Sequence, residues 1–154
     1  MKYLKRYKIF EDGSYYQDDI NVEITSTVID ILQDFIDEGL TIHCFTIGYI
    51  TLKQCGATYT DNDISLFIMA NGDNDVEYKT LDYKRLLPDL ERIIDYMKSE
   101  DREVEVKLQW RENIPKNPRS WKFSIIKEMY CKGEDLGSVP DNNYESISMK
   151  FKLI

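Results

Sequence analysis

The chain has 154 residues, with 20 lysines and arginines against 28 aspartates and glutamates, for a net charge of −8. One domain is the expected organisation, and a chain of this size buries roughly 70% of the surface its unfolded form exposes, enough for a core without disulfides or metal. The charge disfavours general DNA or RNA binding; Cys44, Cys55 and Cys131 are too few and scattered for a disulfide framework or zinc knuckle, and their odd number points to a reducing compartment; no stretch approaches the ~20 apolar residues of a membrane span.

In chain order, residues 1–11 are basic and aromatic, unlike the acidic body that follows, and residues 12–21, rich in Asp, Gly and Tyr, read as a loop or linker. Val28, Ile31, Leu32, Phe35 and Ile36 form one apolar stripe at helical spacing, with Thr25 or Ser26 as the cap and Gly39 as the C-terminal stop. Residues 40–51 and 64–70 read as strands. Asn71-Gly72-Asp73 is a turn signal, after which residues 76–80 are expected to form a short hairpin strand. Leu90, Ile93, Ile94 and Met97 mark a second helix, which Pro88 either opens or kinks. Val104, Val106, Leu108 and Trp110 alternate with polar residues as a half-buried strand. Residues 121–129 are expected to be a strand, 132–143 a turn-rich loop, and Ile147, Met149, Phe151 and Leu153 the inner face of a final strand.

Shifting the chain by 62 positions places Val28 on Leu90, Ile31 on Ile93, Leu32 on Ile94, Phe35 on Met97, Ile42 on Val104 and Cys44 on Val106. Any two helix-strand-strand units share this spacing, so the echo is read as coincidence ahead of repetition. The predicted class is α+β: two helices packed on one face of a mainly antiparallel sheet, a ferredoxin-like order being one arrangement, with the last strands as additions. The final strand, residues 146–153, is expected at a sheet edge, where it would make homodimerisation easy.

No residue pattern identifies a catalytic centre, so the chain is read as a non-enzyme with no cofactor and no metal. His43, the single histidine, alternates with Ile42 and Cys44 and should face outward, away from the Cys44 thiol, so the two cannot act as a dyad. Asp61-Asn62-Asp63 and Asp73-Asn74-Asp75 have short carboxylate spacing but match no calcium loop and read as turns. There is no phosphate loop, nucleophile elbow or dinucleotide fingerprint. The one departure from the acidic background is residues 107–122, where Lys107, Arg111, Lys116, Arg119 and Lys122 meet two tryptophans, Trp110 and Trp121, and a single acid, Glu112. Such a loop can stack a ring and pair phosphates, as in a nucleotide site; it can be a protein hot spot; or the tryptophans can simply pin a hairpin. Tyr15, Tyr16 and Tyr59 are further contact candidates, since tyrosine joins an apolar body to a polar tip.

The opening Met1-Lys2-Tyr3-Leu4-Lys5 and the tripeptide Ile9-Phe10-Glu11 resemble the N-termini of internal head proteins of large T-even-type tailed bacteriophages. In that family a short basic, aromatic segment ending in Leu or Ile, any residue, Glu directs the protein into the prohead, and the prohead protease cuts after the Glu. The resemblance implies that residues 1–11 are a targeting segment cleaved at Glu11, followed by a single domain over 12–154. The alternative for residues 1–11 is a first β-strand. The resemblance further implies a phage accessory protein of the host cytoplasm, packaged in the virion head, that binds a host protein and blocks host defence. Two other readings stay open: a binder of a nucleotide messenger or other small anion through Arg111, Lys116, Arg119 and the tryptophans, and a structural component of the virion.

Overall fold

Helices on one side and a five-stranded antiparallel sheet on the other account for the fold of this computed structural model, which describes residues 19–46, 63–72 and 75–154. The expected α+β class is observed. Helix α1 (Asp19–Ile31) and the short α2 (Gln33–Asp37) follow one another across Leu32, whose φ of −96° and ψ of 8° leave helical geometry. The Leu32 N–H still reaches the carbonyls of Val28 and Ile29, at 3.2 and 3.1 Å, so one apolar stripe continues through the break: Ile24, Val28, Leu32 and Phe35 are buried. The helix starts earlier than Thr25. Ile24 extends the stripe backwards by one turn, and the Thr25 hydroxyl, instead of capping, donates to the Val22 carbonyl at 2.9 Å. Gly39 ends the helical stretch at φ +102°, a left-handed backbone that only glycine adopts without strain, and the Leu40 N–H closes on the Phe35 carbonyl at 3.1 Å.

Strands β1 (Thr41–Thr46) and β2 (Ile64–Met69) form the first antiparallel pair. The strand expected over residues 76–80 is not formed. Its partner's role falls to one side chain: the Asn71 amide donates to the Lys79 carbonyl at 2.8 Å and accepts from the Lys79 N–H at 2.7 Å, the two bonds a neighbouring strand would make. Helix α3 (Tyr83–Ser99) begins on Asp82, whose carboxylate accepts from the Arg85 N–H at 3.4 Å, and it holds Pro88 inside. The helix survives the lost hydrogen bond because Tyr83, Leu86, Leu90, Ile93, Ile94 and Met97 anchor it on both sides of the proline.

Strand β3 (Arg102–Glu112) pairs with β4 (Ile125–Lys132), and β5 (Ser146–Leu153) completes the sheet. Between β3 and β4 residues Pro118–Phe123 form a 3₁₀ helix, so the first three residues of the strand expected over 121–129 are not strand. Pro118 opens this helix, and the Asn117 side chain accepts from the Arg119 N–H at 3.1 Å. A second 3₁₀ helix, Gly133–Ser138, buries Leu136, whose carbonyl accepts from the Tyr83 hydroxyl at 2.9 Å.

The strand order is β1-β2-β5-β3-β4, every neighbouring pair antiparallel. The final strand therefore lies at the centre and not at an edge. The first helix-strand-strand unit offers its second strand to β5 and the second unit offers its first. Registration on β5 builds three apolar rungs: Ile64–Phe151–Val104, Leu66–Met149–Val106 and Ile68–Ile147–Leu108. All nine side chains are buried beneath the helices. Each such residue contributes about 1.5–3 kcal/mol of burial free energy.

Gly133 allows the second 3₁₀ helix to approach this core. A Cβ there would lie 3.0 Å from Val104 Cβ and 3.2 Å from Ile94 Cγ2. Gly133→Ala is expected to lower stability by about 1–3 kcal/mol through overpacking. Urea unfolding followed by circular dichroism measures this, and an unchanged midpoint would show slack between α3 and β3.

Candidate functional site

The cationic, tryptophan-bearing stretch at residues 107–122 folds in on itself. Trp110, at the end of β3, is half-buried and meets the Tyr144 ring edge-on, with centroids 5.9 Å apart. Trp121, only 5% exposed, packs against Tyr78 at 5.5 Å. The Arg111 guanidinium stands 5.0 Å from the Trp121 ring centroid, donates through Nε to Glu145 Oε2 at 2.8 Å, and reaches the Lys122 carbonyl through Nη1 at 3.2 Å. Gln109 Nε2 donates to the other Glu145 oxygen at 2.5 Å. Glu145 is 5% exposed, so its charge is stabilised by Arg111 and Gln109 in place of water. Lys116, Arg119 and Lys122 remain exposed around the clasp, with the Lys122 ammonium 5.6 Å from the Trp121 ring.

Of the residues singled out in the sequence, the structure thus brings together Arg111, Trp121 and Lys122, sets Trp110 nearby against Tyr144, and leaves Lys116 and Arg119 in solvent. Glu145 completes the group and was not expected. Its only sequence signal is a carboxylate immediately before a strand, which is also how an ordinary solvated acid looks. Tyr15, Tyr16, Tyr59 and the cleavage candidate Glu11 lie outside the described residues.

A cleft of about 160 Å³ opens beside the clasp, lined by Met69, Asn71, Gln109, Arg111, Trp121, Glu145 and Ser146. It is smaller than the 300–1,000 Å³ typical of sites for drug-sized ligands. The Tyr78 hydroxyl is buried without a hydrogen bond of normal geometry, and burial, then the Glu145 charge, push its pKa up.

The cleft belongs to the sheet face that carries no helices. His43 is exposed there opposite Phe67, as the alternation of β1 predicts, and Phe67 stacks on Phe45 at 5.8 Å. The cations of this face are paired: Lys150 with Asp63 at 3.5 Å, Lys152 with Glu105 at 3.0 Å and Lys107 with Glu128 at 3.9 Å. On the other side of β1, Cys44 packs against the core, and burial pushes its thiol up to about 12, far from a reactive thiolate. Among the described residues no group of His, Cys, Asp or Glu could hold a metal ion.

The helical layer differs. From residue 19 to residue 46 there are six carboxylates, Asp19, Glu23, Asp30, Asp34, Asp37 and Glu38, and no lysine or arginine. Glu23, Asp30, Asp34, Asp37 and Glu38 are exposed. Cations on α3 are partly spent within the layer: Arg85 forms a two-pronged pair with Glu38, lowering its pKa, and Arg92 pairs with Asp89 at 3.2 Å.

Fold and surfaces together define an open-faced α+β sandwich with an acidic helical side and an ion-paired bare sheet side. Comparison with known families, characterised proteins and solved structures finds no match to the chain. No described helix is long and apolar enough to cross a membrane.

Proposed function

We propose that this is a non-enzymatic binding protein that acts by occupying a basic surface of a host protein with its acidic helical side. The phage resemblance of residues 1–11 supplies the setting: an accessory protein that meets its target in the host cytoplasm, with a host-defence protein as the class of target. The observation that supports the reading is the segregation of charge. Asp30, Asp34 and Glu38 follow one another at spacings of four on exposed positions. Glu38 is paired with Arg85, but Asp30 and Asp34 face solvent on either side of the break at Leu32 and take no part in the core. Such a field steers a basic partner into contact and discriminates against acidic ones. The anionic-ligand reading has less support, because Arg111 is already held by Glu145 and Trp121.

The test is affinity capture from host lysate, read for both proteins and small molecules, with the native chain and with Asp30→Lys/Asp34→Lys. One basic host protein should be enriched, should be released by salt, and should fall at least about tenfold with the variant, the scale of a lost complementary charge cluster. Equal capture by both chains, or a co-purifying nucleotide without protein, would overturn the reading.

A further inference from the structure

Asn71-Gly72 is the single Asn-Gly dipeptide of the chain, and it follows directly on the end of β2, where the backbone turns away from the sheet. Both halves of the dipeptide are held. The Asn71 side chain donates through Nδ2 to the Lys79 carbonyl at 2.8 Å and accepts through Oδ1 from the Lys79 N–H at 2.7 Å. The Gly72 N–H donates to Asp75 Oδ2 at 2.8 Å, and the Asp75 N–H returns to the Gly72 carbonyl at 3.2 Å. Within the stretch tied down in this way, Tyr78 packs on Trp121 at 5.5 Å. Leu81, just after it, is buried, with its N–H on the Tyr144 carbonyl at 2.7 Å. The Asn71 amide is thus a latch between the end of β2 and the segment that leads to α3.

We infer that Asn71 is a modification site, at which spontaneous deamidation turns the latch into a carboxylate and releases Lys79 irreversibly. The chemistry needs only the backbone and water. The Gly72 nitrogen attacks Asn71 Cγ; a C–N bond forms, the Cγ–Nδ2 bond breaks, and the amide leaves as ammonia with the proton that the Gly72 nitrogen gives up. Water then opens the five-membered imide, to aspartate at one carbonyl or isoaspartate at the other. Glycine leaves the attacking nitrogen unshielded, having no Cβ. The product carboxylate cannot donate to the Lys79 carbonyl and sets oxygen against oxygen, and isoaspartate also lengthens the backbone by one carbon. Folding delays the reaction, because the leaving amide is fixed by two bonds and the N–H of the nucleophile is held by an anion, which opposes its deprotonation. Attack therefore waits for these bonds to open, and its rate reports how often the segment leaves the sheet. Asn71 also lines the cleft that holds Arg111 and Glu145, so conversion adds a negative charge to a cleft that already contains a buried carboxylate.

Peptide mass spectrometry of the full chain, kept in mildly alkaline buffer with and without urea, tests this through the gain in mass when an amide becomes an acid. Conversion at Asn71 should be at least about tenfold faster in urea, the scale set by opening two or three hydrogen bonds. Asp75→Ala frees the Gly72 N–H and should accelerate conversion of the folded chain at least about threefold, leaving the rate in urea unchanged. Gly72→Ala is accommodated by the fold, since among the described residues a Cβ there would meet only Asp75 Oδ2, at 4.0 Å, and it should all but stop conversion in urea by shielding the nitrogen. Asn71→Asp, which installs one of the two products directly, should raise amide hydrogen exchange at Lys79 at least about tenfold in the folded chain. Equal conversion in buffer and in urea, no acceleration with Asp75→Ala, undiminished conversion of Gly72→Ala, or Lys79 exchange unchanged by Asn71→Asp would each overturn the inference.

Discussion

Phe151→Ala is expected to remove about 3–5 kcal/mol of stability, the range for truncating a large buried aromatic. Phe151 is 0% exposed and sits mid-sheet, with Ile64 on one side and Val104 on the other. The ring spans the seam between the two strand pairs, where neither helix-strand-strand unit can close the cavity by itself. Against the 5–15 kcal/mol typical of a whole domain, the loss leaves the variant close to unfolding at 37 °C. The comparison is Phe45→Ala, since Phe45 is 44% exposed at an edge, and it should cost less than about 1 kcal/mol. Urea unfolding followed by circular dichroism separates the two. Were Phe151→Ala no worse than Phe45→Ala, β5 would not be the central strand.

Arg111→Met is expected to be comparably damaging for an electrostatic reason. The guanidinium, 11% exposed, is the only cation within 4 Å of a carboxylate that is 5% exposed, among the described residues. Removing it leaves a buried charge on Glu145 with only the Gln109 amide beside it, a loss of about 3–5 kcal/mol. Glu145→Leu alone should also be harmful, because it strands Arg111. The double variant Arg111→Met/Glu145→Leu should be markedly more stable than the sum of the two losses predicts, with a coupling of about 2 kcal/mol or more. Trp121 fluorescence offers a convenient readout, since Arg111 lies against its ring. Additive losses would mean that the pair is solvated and that the clasp does not depend on it.

Gln109, Arg111, Trp121 and Glu145 show why the candidate site was only half legible. Arg111 and Trp121 stand out by composition, because cations and tryptophans are rare together in an acidic chain. Their partner does not, because Glu145 is separated from Arg111 by 34 positions and nothing local distinguishes it from a surface acid. The sequence therefore pointed to a cationic, aromatic loop with spare binding capacity, while the fold spends much of that capacity internally. Exposure on β4 was hidden for a related reason. Ile125, Ile126 and Met129 resemble any buried strand, but the end-of-sheet position of β4 leaves Ile125 half exposed, and Ile126 points to the face that carries no helices.

What the sequence determined by itself was local. Helical periodicity from Val28 to Phe35 and from Leu90 to Met97, strict alternation from Val104 to Trp110 and from Ile147 to Leu153, and a stop at Gly39 follow from backbone geometry and the hydrophobic effect acting over a few residues. Those signals suffice for an α+β class. The order of the strands was decided by tertiary structure. The alternation of β5 reports one buried face and is the same at an edge as at the centre. Its place between β2 and β3 depends on three apolar rungs closing simultaneously with residues up to 87 positions away, Ile64 meeting Phe151. The same long-range closure buried Glu145 against Arg111, turned the predicted strand at residues 76–80 into a segment held by Asn71, and placed β4 at the end of the sheet, because each outcome depends on which distant surface arrives alongside.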